Sequence, residues 1–325
     1  MIIVTGGAGF IGSNIAARFA AAGEAVVVVD RFETADLGKW RNLRMADIAD
    51  FVEPDSLFPF LDRVWREVRC VIHMGAISST TETDVDKIVA ANFRLSRDVW
   101  EWCAARQRPL VYASSAATYG GGAEGFVDDN DRAALQALKP LNAYGWSKKA
   151  FDLYATRRAA EGVAPPRWSG LKFFNVYGPN ERHKGGQKSV VAHMYPAASR
   201  GETVTLFKSH HPDYPDGGQK RDFVYVRDCV DIVGWLVDQD IQGGVLNVGT
   251  GAARTFADLA RALFAALDRK PSIAFVDTPI EIRDKYQYFT QADTTRLRAL
   301  GYGGQFTTIE AGVADYVATD LAHAD

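Results

Sequence analysis

The sequence predicts a doubly wound α/β protein with a smaller α/β lobe after it. Three observations point there: short unbroken apolar runs, long helical stretches between them, and a glycine-rich turn after the first run. "IIVTG" (2–6), "AVVVVD" (25–30), "CVIH" (70–73) and "PLVYASS" (109–115) lack the alternation of half-exposed strands. They read as strands buried on both faces, and parallel neighbours need a crossover helix. The spacing predicts helices over 11–22, 84–105 and 144–161, with "SGLKFFNVYGP" (169–179) as the next strand and its exit. Beyond about residue 180 the segments shorten and glycine and proline breaks become frequent. Helices are expected there over 227–238 and 255–267, and "HHPDYPDGGQ" (210–219) reads as an exposed loop. The expected division is residues 1–180 and 181–325, with strand exchange across the boundary.

Bulk properties exclude several classes. An apolar fraction of 47% and a charged fraction of 24% are those of an ordinary globular chain. A net charge of −3 gives no reason to expect nucleic-acid binding, which usually needs a basic face. No apolar run reaches the ~18 residues of a membrane span. The chain opens directly on a strand pattern, so no signal peptide is expected. Cys70, Cys103 and Cys229 are odd in number, far apart and set among apolar residues. They read as buried thiols in a reducing compartment, and a cytoplasmic location is expected.

"TGGAGFIGS" (5–13) lies between the first strand and the first helix, with Gly6, Gly9 and Gly12 three apart. Glycines let the backbone turn tightly and approach a pyrophosphate, and the helix behind offers unpaired N–H groups. Asp30 ends the second strand at about the right distance, which makes this a Rossmann-type dinucleotide site. Asp30 suits ribose hydroxyls and so favours NAD. Arg31 and Lys39 could hold a 2′-phosphate and so favour NADP, although Lys39 also reads as a solvated loop charge. NADP is the expected cofactor, with NAD left open. Asp47 and Ile48 are placed beside the adenine, and Gly75, Ala76, Ile77 and Ser78 beside the pyrophosphate. His73 reads as a packed core histidine.

Tyr144 and Lys148 are four apart on an expected helix and share a face. Ser115 ends a strand at the edge where open α/β sheets bind ligands. A phenol with an ordinary pKa of ~10 needs help to act as a base, and a nearby ammonium favours the phenolate. Lys148 is the expected source of that field, and the Ser115 hydroxyl is expected to bond the reacting oxygen.

On Gly6, Gly9, Gly12, Ser115, Tyr144 and Lys148 the chain resembles the extended short-chain dehydrogenase/reductase family. "SSTTE", "YASSAATYGG", "PLNAYGWSK", "FNVYGP", "HKG", "KRDFVYV", "VLNVGTG" and "YFTQAD" narrow this to its NAD(P)-dependent epimerases and dehydratases. Within them it resembles the branch that inverts C6 of ADP-linked heptoses. The likeness runs from residue 1 to about 295. It implies oxidation at C6 to a transient 6-keto sugar, return of hydrogen to the other face, and a product used in lipopolysaccharide core synthesis. It also implies homo-oligomers, often rings of five. No metal is implied.

The resemblance gives Lys184, in "HKG", as the second proton donor across from Tyr144, with a solvated phosphate-binding lysine as the other reading. It adds Phe10, Ile11, Asn92, Val176 and Lys184 to the cofactor contacts. For the substrate it implies Ser78, Ser115, Asn175, Gly186, His193, Phe207, Lys208, Ser209, His210, Arg221 and Tyr286. Gly186 departs from a common serine, Pro54 departs from a common lysine, and the 210–219 loop is longer than the family's. A 4,6-dehydratase would need an Asp–Glu pair that "SAATYGG" lacks. A 4-epimerase has no use for Lys184, and a cofactor-binding sensor has none for Tyr144 and Lys148.

Overall fold

The computed structural model describes residues 1–32, 38–239, 241–283 and 287–323. Valine and isoleucine fill the first strands because branched side chains suit a pleated surface covered on both faces. The main elements are β1 (Ile2–Thr5), α1 (Phe10–Ala21), β2 (Val26–Val29), β3 (Asp50–Val52), α2 (Leu57–Val64) and β4 (Cys70–His73). There follow α3 (Leu95–Ala105), β5 (Leu110–Ser115), α4 (Ala143–Ala160) and β6 (Trp168–Phe173). The second half supplies α5 (Val190–Ser199), α6 (Val226–Asp238), β7 (Gly244–Val248), α7 (Phe256–Ala266) and α8 (Ile309–Thr319).

The seven strands form one sheet in the order β7-β6-β5-β4-β1-β2-β3. All its pairings are parallel. Alternation decides which face each residue covers. Ile2 and Val4 pack with Ile15, Phe19 and Val233 from α1 and α6. Ile3 packs on the other face with Leu61, Trp100 and Phe151 from α2, α3 and α4. The chain leaves β1 toward β2 on one side and later pairs β4 on the other. That reversal opens a crevice at the carboxyl ends of the strands.

Beyond helices over Leu57–Val64, Val190–Ser199 and Ile309–Thr319 that the sequence reading lacked, the structure differs from it in three places. The helix expected over 84–105 contains a π-helical segment, Val89–Arg94, in its middle. The strand expected over 169–179 breaks after Phe173, and Asn175–Tyr177 pairs instead with Phe223–Tyr225. β3 was not foreseen; it has three residues, none of them buried. β7 pairs along β6, so the sheet begun by the first 180 residues takes its outermost strand from the second half. A separate core lies beyond it, where Val191, Leu206, Phe223, Leu263 and Tyr316 pack together.

Candidate active site

The turn after β1 can only be glycine at two positions. Gly6 has φ +62, and a Cβ there would lie 2.7 Å from the Gly75 Cα. A Cβ on Gly12 would lie 2.1 Å from the Gly6 carbonyl oxygen. The loops after β1 and β4 therefore touch through bare backbone. The first-turn amides of α1, at Phe10, Ile11 and Gly12, lack helical acceptors and make a natural anion cradle. Asp30 braces this turn: its carboxylate accepts the Ala8 N–H at 2.9 Å and the Arg31 N–H at 2.8 Å.

A cavity of about 1600 Å³ extends from this cradle across the crevice into the second lobe. That exceeds the ~300–1,000 Å³ of a single-ligand pocket and leaves room for a dinucleotide and a second nucleotide together. Among the expected cofactor residues, Gly6, Gly9, Phe10, Ile11, Gly12, Asp30, Arg31, Lys39, Gly75, Ala76, Ile77, Ser78, Lys148, Val176 and Lys184 line it. Asp47 and Ile48 do not: Asp47 is exposed, and Ile48 packs against the core under α1. Asn92 stands behind the wall. Its side chain bonds the Ile77 N–H and C=O at 2.8 and 2.9 Å and the Ser147 hydroxyl at 3.1 Å.

Of the expected substrate residues, Ser78, Ser115, Asn175, Phe207 and Arg221 line the cavity. Gly186 and His193 bond each other at its rim, His193 Nε2 to the Gly186 carbonyl at 3.3 Å. Lys208 pairs with Asp277 at 3.3 Å, Ser209 takes Asp216 at its N–H, and His210 meets Tyr288 and Thr278. These three hold the 210–219 loop and do not line the cavity. Tyr286 lies outside the described residues. The far end of the cavity is walled by Leu206, Phe256, Leu259 and Val276, which had no distinguishing signal in sequence because they look like core. Gln187, Lys188, Gln219 and Gln287 were missed as well.

Ser115, Tyr144 and Lys148 meet at the middle of the cavity. Asn142 caps α4 by accepting the Gly145 N–H at 2.8 Å, which fixes the helix start beside β5. The Ser115 hydroxyl lies close enough to the Tyr144 phenol to favour its ionised form. Lys148 donates to the Ala113 carbonyl at 2.7 Å, and burial lowers its pKa to about 8, opposed by the charge of Asp152. Tyr144 is raised above the ordinary phenol value, chiefly by burial, with Asp152 adding and Ser115 opposing. The lowering expected from Lys148 does not show: burial dominates at the phenol, and the ammonium is engaged with a backbone carbonyl. His73 is a core histidine, bonded to Thr5 at 2.6 Å and Ser96 at 3.0 Å, and burial lowers its pKa to about 3.

Lys184 enters the cavity from the second half, on a 3₁₀ turn over Arg182–Gln187 that kinks at Gly185, φ +54. Its ammonium lies 5.4 Å over the Phe10 ring, and burial lowers its pKa, opposed by Glu181. The turn is clasped onto the cofactor wall. Asn14 donates to the Pro179 carbonyl at 3.0 Å, Asn180 donates to Ser13 at 3.1 Å, and Asn42 contacts His183 at 3.0 Å. Glu181, fully buried, accepts the Ser189 N–H and hydroxyl at 2.5 and 2.6 Å.

A glycine-cradled crevice with a Ser–Tyr–Lys group beside it defines a nicotinamide-dependent enzyme of the doubly wound class. The chain belongs to the NAD dependent epimerase/dehydratase family, whose model matches residues 2–249. It is 47% identical to the ADP-L-glycero-D-manno-heptose-6-epimerase of Nitratidesulfovibrio vulgaris (strain DP4), over 100% of this chain and 99% of the relative. It is 43% identical to the enzyme of that name from Fusobacterium nucleatum, with the same coverage. The crystal structure of the Helicobacter pylori ADP-L-glycero-D-manno-heptose-6-epimerase superposes with TM-score 0.80 at 27% identity, covering 100% of this chain and 96% of that one.

The expected NADP preference is corrected. MoeE5, 27% identical, is solved with NAD and UDP-glucuronic acid or UDP-glucose. The Thermus thermophilus UDP-glucose 4-epimerase, 26% identical, is solved with NAD. The structure is in keeping with this at the two cations. Asp55 holds the Arg31 guanidinium through both oxygens at 2.7 and 2.8 Å, and Asp30 holds the Lys39 ammonium. Carboxylates already occupy the two cations that a 2′-phosphate would need.

Proposed function

We propose that the chain inverts C6 of ADP-D-glycero-D-manno-heptose, with NAD as its cofactor. The observation that carries this is the entry of Tyr144 and Lys184 into one cavity from different elements. The relatives' names supply the substrate.

The cradle fits NAD: bare backbone at Gly6, Gly12 and Gly75 leaves room for a pyrophosphate, and the Asp30 carboxylate can accept ribose hydroxyls. When bound, NAD supplies the acceptor and the donor of hydride at C6. The chain does the rest. Ser115 and Tyr144 hold the C6 oxygen, and Tyr144 removes or returns its proton. Lys148 stays cationic below about pH 8 and orients a nicotinamide ribose. Loss of the C6 hydrogen leaves an exocyclic ketone, which can rotate to present its other face. Its oxygen then meets Lys184, whose half-buried ammonium gives up a proton more readily than a fully exposed one. Arg221, nine-tenths buried beside Phe256, clamps the diphosphate, and Phe207 with Leu259 takes the adenine end.

Residues 1–180 act as the cofactor domain and 181–325 as the substrate lobe. Three buried, unpaired cysteines fit a reducing cytoplasm. Assembly into a homo-oligomer, a ring of five, is in keeping with the family resemblance. The test of function is incubation with ADP-D-glycero-D-manno-heptose and separation of the two C6 epimers, with UDP-glucose as control. Interconversion of the heptoses alone is the expected result. Turnover of UDP-glucose at C4 alone would refute the assignment.

A further inference from the structure

We propose that the buried pair Asp152 and Lys172 positions Ser115, Tyr144 and Lys148 for catalysis. This rests on the catalytic reading given above. Asp152 is four residues past Lys148 and eight past Tyr144, so the three share one face of α4. It lies about two turns deeper than Tyr144 along that face and does not line the cavity, and neither it nor Lys172 reaches solvent, with side-chain exposures of 0% and 1%.

The bonds of the pair reach both elements that carry the catalytic group, β5 and α4. The Asp152 carboxylate accepts Lys172 Nζ at 2.8 Å, the Ser114 hydroxyl at 2.7 Å and the Tyr112 hydroxyl at 3.0 Å. Lys172 also donates to the Thr118 hydroxyl at 2.7 Å, which in turn donates to the Ser115 carbonyl at 2.8 Å. One carboxylate and one ammonium thus join α4, β5, β6 and the turn after Ser115. A rotation of α4 that moved Tyr144 from Ser115 would break these bonds, so the cavity end of that face takes its register from the buried end.

Charge follows the same geometry. Lys148 is faced by neutral His73 from β4 and by Tyr144 and Asp152 on its own helix. The charge of Lys172 on β6 is felt at Lys149. The carboxylate acts on both catalytic groups, favouring protonated Lys148 and protonated Tyr144. Without it both should titrate at lower pH, and both limbs of the pH–rate profile should move in the acid direction.

The test separates this role from stability. A buried pair cut to one charge destabilises a fold, whereas replacing both partners is often harmless. Lys172→Met should lower Tm. Asp152→Asn/Lys172→Met should recover Tm yet keep both limbs displaced to lower pH by roughly one unit. Asp152→Glu, which keeps the charge, should retain the parent limbs. A double variant with parent Tm and parent pH profile would reduce the pair to a structural role and overturn the proposal. So would an Asp152→Glu enzyme that folds with displaced limbs. Tyr144→Phe measured beside them tests the other assumption: parent turnover there would sink the catalytic reading, whatever the pair does.

Discussion

The two walls that bring Tyr144 and Lys184 to the cavity are held in different ways. Tyr144 stands on a helix of 18 residues, anchored from below by a buried ion pair and its hydrogen bonds. Lys184 stands on a short kinked turn, anchored from the sides by asparagine amides, a buried glutamate and the backbone they meet. The first wall is tied to the sheet. The second is tied to α1, the helix that cradles the dinucleotide. A proton donor on the second wall therefore takes its position from the cofactor turn, and one on the first wall from the core.

Substitutions can break or sharpen this contrast. The largest effect is expected for Tyr144→Phe, which removes the proton-transferring oxygen and should cut turnover on the order of 10³-fold with Tm preserved. Lys184→Met should cost ~10²-fold in steady-state epimerisation. Near-parent turnover there would leave Tyr144 as the proton donor on both faces. Glu181→Gln strikes the second wall's anchor and should lower stability by about 1–3 kcal/mol in denaturant titration, with Lys184-dependent turnover falling alongside.

Acid should strain the first wall through His73. Its folded pKa of about 3 lies below the ordinary value of 6.5, so the unfolded chain binds the extra proton. The stability it contributes is full above pH 6.5 and drains away as pH falls toward 3. A thermal-melt series should show this slope reduced in His73→Asn. The smallest effect is expected at Arg31→Ala. The Arg31–Asp55 pair is largely exposed, at 57% and 81%, and such pairs give about 0–1 kcal/mol. NAD affinity measured by titration should shift by less than roughly threefold; a larger loss would give Arg31 a direct cofactor contact.

The difference between the walls also marks how far sequence reasoning reached. Tyr144 and Lys148 were legible because helical spacing alone puts them on one face. Gly6 and Gly12 were legible because close backbone approach tolerates nothing larger. Lys172 carried a signal that was passed over: a lysine in the middle of a strand whose six residues are all buried. The clasp on Lys184 joins residues such as Asn14 and Pro179, 165 positions apart, and no local pattern encodes that. Phe256 and Leu259 were hidden because cavity walls and cores use the same side chains. Asp47 and Ile48 missed the cavity because Asp47 is exposed and Ile48 packs against the core, which no local pattern distinguishes from an adenine contact.

The parallel pairing of β7 with β6 has a consequence for synthesis. When residue 173 leaves the ribosome, β6 has no neighbour on its outer side until Gly244–Val248 follows. For some seventy residues of translation the nascent chain carries a bare strand edge, the kind of surface that recruits other chains. A protein released early by a stop codon near residue 180 should keep that edge for good and precipitate.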